Sequence, residues 1–289
     1  MLPLIWLIRK AMLKNHKTIF NQYFGVIFSF FDCLKKENNY PEIHFVKVFL
    51  RNDDTLTKFY IIINKNFKMK KIVFTFLIFA STFAFAQTTR NVGDFSLLKV
   101  YDRINAELIP SDKNEVEILG NSDADVETVN KNGELKIRMT TTKVLQGNDT
   151  KVKVYYRTIT DIQGSQGAII TSPEPVESSM LSLTSNEGSS IVLKINSDKL
   201  NVKANSGGEI NVSGTAESQD IVVNSGAKFY GKDLDSRNAD VTVNAGGFAQ
   251  VFADDTVQTT TRAGGNIEVF GNPDNRNSKK VVGGKVIFK

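Results

Sequence analysis

The chain has 289 residues, 41% of them hydrophobic, one Cys, two His and a formal net charge of +5. Its charge is uneven: residues 87–289 hold 23 basic against 26 acidic side chains, and Cys33, His16 and His44 all lie outside that body. A body of net charge −3 excludes a nucleic-acid reading built on the overall charge, and the absence of His and Cys from it excludes Ser-His-Asp and Cys-His catalysis and His- or Cys-ligated metals.

Residues 1–68 are rich in Phe, Ile, Asn, Lys and Tyr and carry no sustained period. They read as a spurious or disordered N-terminal extension, translated from a start placed too early; the rival is a real N-terminal segment that would turn residues 72–86 into an internal anchor. Met69 then opens a secretory signal peptide over 69–86. Lys70-Lys71 form a positive n-region, Ile72 to Ala86 an apolar h-region, and Ala84-Phe85-Ala86 the small-x-small cleavage site. The apolar run is too short for a comfortable membrane span, so no stable transmembrane span is expected in the mature chain. Export through the inner membrane follows, to the periplasm, the outer-membrane surface or the exterior. N-terminal sequencing of the native protein should begin at Gln87, and a start within residues 1–68 would overturn the assignment.

From Val92 to about Ile170 apolar and polar residues alternate as strands require. Phe95–Tyr101, Ile104–Ile109 and Val116–Leu119 open the series. Val126–Val129, the turn Asn130-Lys131-Asn132-Gly133 and Leu135–Met139 read as a hairpin, because Asn-Gly accepts the positive φ such a turn needs. Residues 87–170 thus form an N-terminal strand region that packs on, or starts, the repeat occupying 171–289. A degraded first repeat is legible near Gly167.

Beyond Ser185 one turn recurs and aligns on Gly188, Gly207, Gly226, Gly246, Gly264 and Gly283, at spacings of 19, 19, 20, 18 and 19 residues. A fixed period of this length marks a repeat architecture. Five before the glycines stand Leu183, Val202, Ile221, Val241 and Thr259, and three before them Ser185, Ala204, Val223, Val243 and Thr261, mostly apolar. Apolar residues stand again three and five after them (Ile191, Ile210 and Phe229; Leu193, Val212 and Val251). Columns two apart point to one side of a strand. Each repeat is therefore strand, tight turn, strand, with an inner apolar face that only stacking can bury. The fold class is all-β, a β-solenoid with rungs of about 19 residues, the alternative being a conventional antiparallel sandwich or meander with coincidentally regular turns. Asn186, Asn205, Asn224 and Asn244 share a column where stacked amides would bond from rung to rung.

The turns carry neither G-x-G-x-x-G nor a P-loop, and lack the aspartates of calcium-binding nonapeptides. No catalytic residue, cofactor or metal site is assigned. Asp254-Asp255, and Asp233 with Asp235, are loop acids that could hold Ca²⁺ or act on sugars as paired carboxylates, or be merely solvated. Phe252 and Phe270 stand six after their glycines, where alternation points outward. The preferred reading is a local bulge that turns them inward, and the other is a stacked outward ridge for a ligand.

The signal peptide, the opening series Phe95-Ser96-Leu97-Leu98-Lys99-Val100-Tyr101 and the serial Asn-Ser-Gly-like turns resemble the "putative auto-transporter adhesin, head GIN domain" family over about residues 92–288. The resemblance implies a right-handed, pectin-lyase-like parallel β-helix exported by Gram-negative bacteria, serving cell adhesion without established catalytic residues. The leading reading is a non-enzymatic adhesion or envelope-interaction protein whose partner is a surface protein or glycan. The others are a carbohydrate-binding or polysaccharide-active β-helix, and a structural envelope protein, a homo-oligomer joined through its end caps.

Overall fold

The structure is a computed structural model that describes residues 25–28, 43–52, 55–64, 88–119 and 123–289. The chain divides into two compact units, Met1–Ala86 and Gln87–Lys289. In the first, β1 (Gly25–Phe28), β2 (Ile43–Asn52) and β3 (Thr55–Asn64) pair antiparallel in that order. The segment 69–86, for which the sequence predicts a signal peptide, lies outside the described residues.

The second unit is a β-solenoid. Its early strands are β4 (Thr88–Asn91), β5 (Leu97–Val100), β6 (Asn105–Pro110), β7 (Glu115–Leu119), β8 (Val126–Lys131), β9 (Glu134–Met139), β10 (Lys151–Tyr156), β11 (Asp161–Gly164) and β12 (Ile169–Thr171). The long strands β13 (Val176–Ser185), β14 (Ser190–Ala204), β15 (Glu209–Val223) and β16 (Lys228–Asn244) each bend through more than one side of a rung. Next come β17 (Phe248–Phe252), β18 (Thr256–Arg262), β19 (Asn266–Phe270), β20 (Asn275–Val281) and β21 (Lys285–Phe288).

Two parallel walls result. The first stacks β9, β5, β11, β13, the C-terminal halves of β14, β15 and β16, then β18 and β20. The second stacks β10, β6, β12, the N-terminal halves of β14, β15 and β16, then β17, β19 and β21. A short third edge aligns Val176, Ile195, Gly214 and Leu234. The predicted inner columns are the core: Leu183, Val202, Ile221 and Val241 on the first wall, and Ile191, Ile210, Phe229 and Val251 on the second, are at most 1% exposed. Each such side chain contributes about 1.5–3 kcal/mol by leaving water.

The recurrent turn joins one wall to the other. The two strands it connects do not pair with each other; each pairs with its equivalents one rung away. Both central residues have positive φ, as in Ser206 (50°) and Gly207 (73°), and the Gly208 amide donates to the Asn205 carbonyl at 2.9 Å. This is type I′ geometry, which a glycine accepts at no steric cost. The small residue that follows has a different reason: a Cβ at Gly208 would lie 2.5 Å from the Ser185 carbonyl oxygen. The Asn ladder runs through the turns, with Asn205, Asn224 and Asn244 each donating a side-chain N–H to the preceding Asn oxygen at 2.9, 2.8 and 2.7 Å. Each bond contributes about 1 kcal/mol.

The chain enters the stack out of order. The β5–β6 rung lies between the β9–β10 rung and the β11–β12 rung. Its corner, Asp102-Arg103 with φ of 59° and 63°, is equivalent to Gln166-Gly167 and Glu187-Gly188. The buried Asp102 carboxylate accepts the Met139 and Leu145 amides at 3.0 and 3.3 Å, tying this corner to the rung beside it. β8 and β9 form the expected hairpin. β7 pairs antiparallel with β10 and β4 with β7, closing this end of the core.

Candidate interaction surface

Alternation along β17 and β19 leaves Phe248, Gln250 and Phe252, and Asn266, Glu268 and Phe270, on the outside of the second wall. Phe252 and Phe270 are register partners and half-buried. No bulge turns them inward. Tyr230 of β16 joins them, its ring 5.9 Å from that of Phe248 and tilted by 57°. Upstream on the same outer columns Ile169 and Val192 are 43% and 44% exposed. Tyr230 and Phe248 were not singled out from the sequence, though their even offsets from the aligned glycines, four and two, carry the same outward signal as the offset of six at Phe252 and Phe270.

Polar groups interleave with these rings. Gln250 Nε2 donates to Glu268 Oε2 at 2.9 Å, and Lys289 Nζ stands 3.3 Å from Glu268 Oε1. The Gln250 hydrogen bond first, and the Lys289 ammonium after it, hold the Glu268 carboxyl below its ordinary value. Beneath Phe252 a buried polar knot anchors the end of β17: Gln219 Nε2 donates to the Phe252 carbonyl at 2.7 Å and Ser236 Oγ to the same oxygen at 2.6 Å. Gln219 occupies an inner column between Leu200 and Ala239. It replaces an apolar residue where the next rung has no third-edge strand to satisfy that carbonyl.

The acids singled out from the sequence lie elsewhere. Asp233 and Asp235 lie within β16 and not in a loop, because parallel pairing with β15 continues around the third edge; both are exposed and in register with Ser213 and Thr215. Asp254 and Asp255 occupy the connection one rung on, where their amides donate to the Ser236 and Arg237 carbonyls. The Asp255 carboxylate stands 3.7 Å from Arg237, whose guanidinium also lies 3.9 Å from Glu217. Of these four acids Asp255 alone pairs with Arg237, and Asp254 and Asp255 follow the end of β17.

The first wall carries carboxylates that sequence reasoning did not select. Asp220 and Asp240 are register partners, six before their glycines, and burial, followed by the Asp220 charge, raises the Asp240 carboxyl. Burial likewise raises Asp161, which lines an open depression of about 540 Å³ with Glu177 and Met180. Neither these residues nor any other described ones form a group of three or more His, Cys, Asp or Glu able to hold a metal. No helix among the described residues is long and apolar enough to cross a membrane.

Comparison with known proteins agrees with this geometry. A family model described as "Putative auto-transporter adhesin, head GIN domain" matches residues 94–273. A crystal structure of a putative adhesin from Bacteroides fragilis is similar at 18% identity and a TM-score of 0.65, covering 70% of this chain and 96% of that one. A putative adhesin from Parabacteroides distasonis matches at 20% identity and a TM-score of 0.59, covering 71% and 96%. A putative lipid binding protein from the same organism matches at 18% identity and 0.54, covering 70% and 96%. At these identities the likeness shows the fold. The search of curated proteins returned no match.

Proposed function

The chain belongs to the family described as "Putative auto-transporter adhesin, head GIN domain", and from that premise we propose that it is an exported, non-enzymatic β-solenoid serving surface adhesion or envelope interaction. The outer face of the second wall is the contact surface. The observation that supports this is the set of half-buried rings Tyr230, Phe248, Phe252 and Phe270 on one flat side, interleaved with Gln250 and Glu268. Aromatic rings flush with a sheet offer large contact area at low entropic cost, and the polar groups between them set orientation. Such a face suits a surface protein or glycan laid across several rungs. It gives no enclosure for a small substrate.

Binding of residues 87–289 to whole cells and to a glycan array tests the reading. Phe248→Ala with Phe270→Ala is expected to weaken binding at least tenfold, the size of effect of removing aromatic anchors. These side chains face outward, so thermal unfolding of the variant should shift by only a few degrees. Silence of the wild type on both platforms, or full binding by the variant, would sink the proposal.

A further inference from the structure

The rung built by β20, β21 and the turn between them differs from the rungs before it in three respects. The first concerns its inner columns. Arg276, Ser278 and Lys280 stand in register with Val257, Thr259 and Thr261, where earlier rungs carry core residues. Arg276 lies 4.9 Å over the Phe288 ring and donates to the Pro273 carbonyl and Asn272 Oδ1 at 3.0 and 2.8 Å, so its guanidinium covers the end of the core. Every residue of β20 is exposed.

The second is charge. Residues 272–289 hold five basic side chains and one acidic, whereas residues 87–271 hold 18 basic and 25 acidic. The positive charge of the body is concentrated at this end of the solenoid. Lys279, Lys280 and Lys285 form no ion pair among the described residues.

The third is Val282. Equivalent turn positions carry Glu187, Ser206, Ser225, Ala245 and Ala263. Val282 holds φ 54° and is 82% exposed. A β-branched residue is strained in that region, and an exposed apolar tip gains nothing from water. Neither turn formation nor solubility accounts for it.

We propose that this end of the solenoid docks on an anionic phospholipid bilayer, with Lys279, Lys280 and Lys285 among the headgroup phosphates and Val282 inserted into the interfacial layer. Charge complementarity selects the occupant. A second copy placed tail to tail would oppose like charges and cover Lys280 with no partner, which costs more than the contact returns, and at the opposite end of the solenoid β4 and β7 already close the core. A lipid surface neutralises the lysines and accepts the valine together. The acidic remainder is then turned away from the membrane, and the walls, including the aromatic face, stand clear of it. The docking does not depend on that face binding anything.

The test uses residues 87–289, a compact unit with its own core and close to the extent of the solved neighbours. Vesicles of phosphatidylcholine alone, and of phosphatidylcholine mixed with phosphatidylglycerol, are sedimented with the protein. Binding is expected to the anionic vesicles only, falling as salt rises. Lysine-to-glutamine changes are expected to weaken it about fivefold for each charge removed, and roughly a hundredfold for K279Q/K280Q/K285Q. V282S, which installs the residue found at 206 and 225, is expected to weaken binding severalfold while the melting temperature holds or rises. Equal binding to both vesicle types, no binding to either, or a triple variant that binds like wild type would overturn the proposal. So would binding to inorganic polyphosphate without binding to vesicles, which would mark a soluble polyanion site.

Discussion

Gly214→Ala is expected to lower stability by about 3 kcal/mol or more, close to 10 °C in melting temperature for a unit of this size. Gly214 holds φ 110°, and a Cβ there would lie 2.1 Å from the Ile195 carbonyl oxygen. That oxygen belongs to the neighbouring rung, and Ile195 is the register partner of Gly214 on the third edge. The backbone on both sides is held by parallel strands, so relief requires two rungs to move apart. Gly226→Ala is the control. Gly226 has φ 70° and open space where a Cβ would be built. Only backbone strain opposes that change, about 1 kcal/mol. Thermal unfolding of the two variants side by side checks the distinction. Equal shifts would mean that the close approach at Gly214 is not what holds the third edge.

The second large effect concerns Phe229, fully buried and the bulkiest of the enclosed side chains. Phe229→Ala should cost about 3–5 kcal/mol, measured by urea unfolding. The ring is accommodated because its neighbours are small. Ala249 is its register partner in the next rung, and a Cβ at Gly231 would lie 2.5 Å from the ring. Gly231→Ala alone should therefore overpack the rung, at about 1–3 kcal/mol. In the Phe229→Ala background the same change should be almost free, because the space is then empty. The predicted coupling in the double-mutant cycle is about 1 kcal/mol or more. Additive costs would show that the two positions do not share that space.

Much of this geometry is legible along the chain because a rung is a local object. The aligned glycines, the inner columns and the Asn ladder all follow from a period of about 19 residues. The legibility ends where the chain leaves the period. Arg103 and Gly167 hold the same corner on adjacent rungs, yet 64 residues separate them. β7 to β10 are interposed, and Arg103 supplies the left-handed residue without being glycine. The turn residue ahead of each glycine was hidden in the same way. Ser206, Ser225, Ala245 and Ala263 all have positive φ, a conformation their side chains do not advertise. Backbone bonds between rungs, such as Gly207 N–H to the Ser225 carbonyl at 3.2 Å, help to hold it.

The candidate surface divides likewise. Period-two alternation points Phe252 and Phe270 outward, and the structure keeps that alternation where an inward bulge was expected. That Tyr230 leans towards Phe248, and that Gln219 and Ser236 secure the carbonyl of Phe252 from inside, depends on neighbours one or two rungs away.

The sequence by itself determined the repeat, which face of each strand is apolar and where the chain turns, because these depend on residue type and spacing within one rung. The tertiary structure decided the order of the first rungs, the membership of the two walls and which side chains share a surface. Those depend on hydrogen bonds between segments whose separation along the chain bears no relation to their separation in space. The aligned glycines mark where every rung bends, and stacking decides what each bend lies against.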